Sequence, residues 1–112
     1  MTGGSMMSFL WGYDFGAQAF TSGYGIVAPR IPLAFYRHLV EGRRDEALQI
    51  VKDYEEPMIA EFADIGGWAA LRAAQVFLGF YGSWRERYPW PTLTEEQAQK
   101  VKAHLEAKGL LG

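Results

Sequence analysis

AQAFTSGYGIVAPRIPLAFYRHLVEGRRDEALQIV, running from Ala17 to Val51, is the stretch on which the reading of the whole chain turns. Ala17 to Ser22 is short, apolar and closed by glycine, which predicts a strand. Gly23 and Gly25 then line a loop. From Pro29 to Glu41 the apolar residues Ile31, Phe35 and Leu39 recur every fourth position, with Leu33, Tyr36 and Val40 widening the face, so an amphipathic helix is expected to end at Gly42. A second helix begins at Asp45 and sets Leu48, Val51, Met58 and Phe62 on one side. Pro57 lacks an N–H and is expected to kink or split it before Gly66 and Gly67 end the run. A lone strand cannot satisfy its own backbone groups, and each one buried unpaired costs on the order of 1–3 kcal/mol. The predicted strand therefore calls for partners from outside this sequence, and the chain reads as a fragment of something larger.

Outward from that stretch the punctuation is mostly helical. Gly3 and Gly4 precede Ser5, a usable N-cap for a short helix over Met6 to Tyr13, and Asp14 to Gly16 form a turn. Trp68 to Phe80 is nearly apolar all round apart from Arg72 and Gln75, the pattern of a helix buried on several sides. Tyr81 to Leu93, with Tyr88, Pro89, Trp90 and Pro91, reads as an extended aromatic and proline linker. Thr94 and Gln97 make a capping box for the last helix, whose stripe is Ala98, Val101 and Leu105 and whose stop is Gly109. No internal repeat or low-complexity tract is present.

Composition narrows the function classes. Of 112 residues, 49% are hydrophobic and 21% charged, which excludes a disordered chain, and the 15% aromatic share brings a large apolar area to bury. A net charge of -2, with no basic block beyond Arg43 and Arg44, leaves no electrostatic footprint for nucleic acid or an anionic membrane. The absence of cysteine removes disulfides, thiol nucleophiles and thiolate-held metals, and fits a reducing compartment, so the cytoplasm is the expected location. No Lys or Arg precedes Arg30, so the apolar patch Met6 to Trp11 lacks the charged flank of a secretion signal. The longest apolar stretch, Ile65 to Phe80, is interrupted by Arg72 and Gln75 and is too short for a membrane span.

Several short motifs bear on chemistry. Gly23-Tyr24-Gly25-Ile26-Val27-Ala28 has the G-x-G-x-x-A form of a dinucleotide fingerprint, but the acidic residue that a second parallel strand should supply falls instead in the helix corner at Arg44 and Asp45. Ser22 is followed by Gly23, yet Phe20 stands where a nucleophile elbow needs its first glycine. His38 and His104 sit singly, without a facing ligand set, so no metal and no cofactor is implied. The adjacent pairs Glu55-Glu56 and Glu95-Glu96 point in different directions on helices and read as solvated faces or helix-dipole complements. Thr21 and Ser22 stand at the strand end, where either Thr21 alone or Phe20 with Ser22 faces inward; they either cap the loop or line a ligand site.

Taken in order, these motifs resemble the C-terminal portion of the dihydrodipicolinate synthase and N-acetylneuraminate lyase family. Gly4-Ser5-Met6 falls at the end of that family's barrel strand seven, and Thr21-Ser22 on the end of strand eight. Val27-Ala28-Pro29-Arg30 matches the entry to its last barrel helix, and Glu41-Gly42-Arg43-Arg44-Asp45 its Gly-Asp corner with Ala47 at the usual small position. Trp68 to Gly79 and Leu93 to Leu110 are similar to its closing helices.

The resemblance implies an α/β TIM-barrel fragment, mostly helical: residues 1–43 as the last barrel helix–strand–helix, and 44–112 as a three-helix tail. It implies a lyase, an aldolase or dehydratase, that joins or splits pyruvate or a related 2-oxo acid through a lysine Schiff base. That lysine, a tyrosine for proton transfer and a hydroxyl pair holding the carboxylate belong to the remaining barrel segment, so this chain alone is expected to be inactive, with no catalytic residue of its own. Lys52, Lys100, Lys102 and Lys108 all fall in amphipathic tail helices, whereas a Schiff-base lysine needs a desolvated or cation-depressed setting. By the same resemblance Gly4, Ser5, Met6, Thr21 and Ser22 line the substrate, and the intact enzyme is a homo-oligomer, a tetramer or dimer. Ser5 and Met6 replace a more polar pair, which implies a less polar distal pocket, and Thr21 replaces a common isoleucine. The alternative reading is a stand-alone small helical interaction domain without catalysis.

Overall fold

The computed structural model describes residues 5–87 and 91–111, so the expectations for Gly3, Gly4, Tyr88, Pro89 and Trp90 lie outside the described residues. The described elements are α1 (Met6–Tyr13), α2 (Tyr24–Val27), α3 (Arg30–Val40), α4 (Arg44–Ile50), a π-helical turn (Val51–Glu55), α5 (Glu56–Glu61), α6 (Gly67–Phe77) and α7 (Glu95–Ala107). The chain divides between Pro57 and Met58 into two compact units.

The expected strand is corrected. Residues 17–22 form no ladder, Phe20 makes only an isolated bridge, and the described residues contain no strand and no sheet. The α/β TIM-barrel fragment that the resemblance implied is therefore overturned in favour of a helical architecture. A strand exists only through the neighbour it pairs with. Here side chains fix the segment instead: the Phe20 ring stacks on Phe9 at 4.6 Å and meets the edge of Phe35 at 5.6 Å. The loop expected after it contains a helical turn, α2, whose Tyr24 and Val27 are buried.

In the first unit, α1 begins as expected on Ser5, whose side chain accepts the Ser8 N–H at 3.0 Å. Helix α3 buries Ile31, Phe35 and Leu39 as the periodicity predicted, with Pro32 added in its first turn. Leu33, Tyr36 and Val40 stay exposed. Pro57 does not split the run that follows. The turn ahead of it widens, so that the Glu56 N–H reaches back five residues to the Val51 carbonyl, and the ring that would crowd a regular α-helix follows a π-helical turn instead.

In the second unit α6 packs against α7. The expectation of a helix buried on several sides is corrected: α6 buries Ala70, Leu71, Ala73 and Ala74, while Trp68 is 80% exposed. It also ends at Phe77 rather than Phe80, because Gly79 turns left-handed at φ 90° and lets the Phe80 N–H return to the Gln75 carbonyl at 2.8 Å. The capping box of α7 is present in both directions, with the Thr94 N–H donating to Gln97 Oε1 at 2.9 Å and the Gln97 N–H to Thr94 Oγ1 at 3.2 Å. Its predicted stripe of Ala98, Val101 and Leu105 is buried.

Candidate functional site

The extended segment and the exposed side of α3 enclose an open groove of about 420 Å³, lined among others by Phe20, Ser22, Pro29, Pro32, Leu33 and Tyr36. The sequence builds it simply. The i, i+3 pair Leu33 and Tyr36 lies off the buried stripe of α3 and therefore faces outward, and the prolines that start the helix contribute ring carbons and no N–H. Leu33 is 60% exposed and forms an apolar wall. Beneath the groove Phe9 of α1 is fully buried, stacked on Phe20 and on Tyr36 at 5.8 Å and edge-on to Phe35 at 6.4 Å.

One polar atom stands out in this wall. Ser22 Oγ is buried and has no hydrogen-bond partner among the described residues. A buried hydroxyl left unpaired costs about 1–3 kcal/mol, so native folds rarely keep one without a use. Of the residues expected to line a substrate, Ser22 lies on the groove. Ser5 spends its hydroxyl on Ser8, accepting from the Ser8 N–H and donating to Ser8 Oγ at 2.8 Å. Met6 is wholly buried in the core, Thr21 is exposed, and Gly4 lies outside the described residues.

Helix α1 carries no charged residue, and both its ends are completed by the α4–π-turn run. Arg44 holds Asp14 through two bonds, Nη1 to Oδ1 and Nη2 to Oδ2, each 3.0 Å, and Nη2 also donates to the Leu10 carbonyl at 3.1 Å. That places a cation where the helix dipole is negative. At the other end Glu55, 4% exposed, accepts the Met6 N–H at 2.7 Å and the Met7 N–H at 3.0 Å. Burial pushes the Glu55 carboxyl above the ordinary carboxylate range, the two N–H bonds pull it back in part, and the neighbouring Glu56 adds a smaller push upward. Of the two readings of Glu55-Glu56, solvated face or helix-dipole complement, Glu55 takes the second, at the start of another helix. The signal for this was in the sequence: Glu55 falls on the apolar stripe between Val51 and Met58.

Other polar pairs form within each unit. His104, which the sequence places singly on its helix, is buried, and its Nδ1 stands 2.8 Å from Glu61 Oε2 with its ring edge-on to Phe62 at 5.3 Å. Because a carboxylate only accepts, Nδ1 carries the proton. His38 accepts from Arg43 Nε at 2.9 Å. No group of His, Asp and Glu among the described residues could hold a metal ion. Lys52 and Lys100 are exposed, Lys102 lies over the Phe77 ring at 6.0 Å, and Lys108 is half-buried. Lys52, the lysine of the first unit, does not line the groove. Among the described residues no helix is long and apolar enough to cross a membrane.

Neither the models of known protein families nor the curated proteins contain a match to this chain.

Proposed function

We propose that this chain serves a lyase, an aldolase or dehydratase, acting on pyruvate or a related 2-oxo acid through a Schiff-base lysine located outside these residues. The observation that carries the proposal is the orphaned Ser22 hydroxyl. It stands buried at a position that sequence resemblance alone marks as substrate-lining, on the wall of an open groove. In this reading Ser22 Oγ–H donates to an oxygen of the bound oxo acid, and Phe20, Leu33 and Tyr36 supply apolar walls that strengthen that bond by excluding water. The lysine amine adds to C2 of the oxo acid and water leaves. The resulting iminium takes up the electron pair when a bond at C3 breaks. In this reading the chain by itself is inactive, since the Schiff-base lysine lies outside it. A homo-oligomeric assembly in the cytoplasm completes the proposal.

A second reading is supported by the apolar surface itself: Leu33 and Tyr36 are exposed on α3, as in a small helical domain that binds a partner without catalysis. One experiment separates the two. The native protein is isolated from its source, incubated with pyruvate and reduced with sodium borohydride. One reduced pyruvyl group on a lysine outside residues 1–112, and none on Lys52, Lys100, Lys102 or Lys108, supports the lyase. Absence of any lysine adduct overturns it and leaves the interaction domain.

A further inference from the structure

We propose that Glu55 is a proton-operated latch for the first helix: its carboxylate, turned inward by the π-helical turn, grips the Met6 and Met7 N–H groups, and gain or loss of one proton resets how firmly α1 is seated beneath the groove. This goes beyond the lyase reading and stands or falls independently of it.

Three observations combine. The first is geometric: the carboxylate sits 4% exposed with each oxygen on a separate N–H of the opening turn of α1. The second is the carrier. The grip is delivered from a π-helical turn, Val51–Glu55, that ends two residues before Pro57, and such turns occur mostly as single-turn bulges inside α-helices, frequently at functional sites. The third is the connection onward. Phe9, on the face of α1 that this grip holds down, is stacked on Phe20 and Tyr36, two residues of the groove wall. Movement of α1 therefore moves the floor of the groove.

Among the described residues few other charges face Glu55. On its own turn Lys52 and Asp53 are exposed, Asp53 accepting from Gln49, and Glu56 is the one group whose charge adds to the effect of burial. From α1 the only titratable side chain is Tyr13, at the far end, and there Arg44 and Asp14 are engaged with each other. Tyr54 on the same turn meets Tyr24 of α2 edge-on at 5.9 Å.

The direction follows from linkage. A carboxyl raised in the closed fold and ordinary in the open one favours the closed state when protonated. The stabilisation is complete below 4.5, the ordinary value, and is lost as pH rises through the elevated one. The two N–H bonds favour the ionised form and burial favours the protonated one; burial is the larger effect, so the carboxylate gains more by reaching water than it loses in bonds, and α1 opens more readily at higher pH. For every pH unit by which the Glu55 midpoint lies above 4.5, the opening constant changes by about tenfold across the titration.

The test is made on the full chain by NMR. The side-chain carboxyl carbon of Glu55 is titrated alongside the Met6 and Met7 amide shifts, the Phe20 and Tyr36 ring shifts, and Met6 and Met7 hydrogen exchange corrected for its intrinsic pH dependence. The expected result is a Glu55 midpoint above 4.5, amide and ring shifts that follow it, and protection that falls through the same midpoint. In Glu55→Gln those pH dependences disappear. A Glu55 midpoint at or below the ordinary value, or Met6 and Met7 amides that follow no carboxyl, overturns the latch. Ring shifts that stay fixed while the amides move overturn its connection to the groove. Should Glu55→Gln fail to fold, the wild-type titration decides alone.

Discussion

Two phenylalanines six residues apart offer the sharpest check on how the first unit is held together. Phe9 is 0% exposed and Phe15 is 90% exposed, although the sequence gives both the same chemistry in the same short stretch. Truncating a buried Phe to Ala removes its transfer free energy and leaves a cavity, about 3–5 kcal/mol together. Each ring pair adds roughly 0.5–1.5 kcal/mol beyond area, and Phe9 meets Tyr13, Phe20, Phe35 and Tyr36. These contributions overlap in part, so about 4 kcal/mol is expected for Phe9→Ala, a large share of the roughly 5–15 kcal/mol that stabilises a domain. Phe9→Leu keeps most of the volume and loses the ring pairs, at about 1–2 kcal/mol. Phe15→Ala is expected within about 0.5 kcal/mol of wild type. Urea unfolding followed by far-UV circular dichroism reads the difference. At about 2 kcal/mol per molar, Phe9→Ala lowers the midpoint by roughly 2 M while Phe15→Ala leaves it in place. Equal shifts for the two, or a Phe9→Ala shift below about 0.5 M, would refute the aromatic cluster under the groove.

Three further substitutions probe separate claims. Ser22→Ala is expected to leave stability unchanged or to raise it by up to about 1 kcal/mol, because it removes a buried hydroxyl that has no partner among the described residues; a clear loss in urea unfolding would mean that the hydroxyl is bonded within the fold. Gly66→Ala meets nothing within 4 Å, so its cost comes only from the φ of 98° at this position, about 1–2 kcal/mol; an unchanged thermal midpoint would contradict the left-handed corner before α6. Thr94→Ala removes the hydroxyl that accepts the Gln97 N–H and leaves the backbone N–H at 94 that donates to Gln97 Oε1; it is expected to cost about 1 kcal/mol, with the Gln97 amide losing protection first in hydrogen exchange.

How much of this was legible beforehand depended on the range of the interaction concerned. The α7 capping box spans three residues and was read directly, as were the Ser5 cap and the buried stripe Ile31, Phe35 and Leu39 of α3. The strand at Ala17 to Ser22 was misread because a short apolar run has no intrinsic preference strong enough to separate a paired strand from an extended segment. What distinguishes them is the neighbour, and here the neighbours are the rings of Phe9 and Phe35. Glu55 was half legible. Its place on the apolar stripe between Val51 and Met58 was visible, but its partners lie 49 and 48 positions away in sequence.

The candidate groove divides in the same way. Ser22 was singled out from its position after the apolar run. No spacing in the sequence announced that its hydroxyl would be left unpaired in a wall shared with Leu33 and Tyr36. Local free energies of capping, proline geometry and helical periodicity are written into neighbouring residues, so the sequence by itself determined where most of the helices begin and end, and which faces of α3 and α7 are apolar. Burial, the inward turn of Glu55, the clamping of α1 by Arg44 and the pairing of His104 with Glu61 depend on which distant groups share a low-dielectric space. Only the tertiary structure decided these, because desolvation and hydrogen bonding act through space and not along the chain.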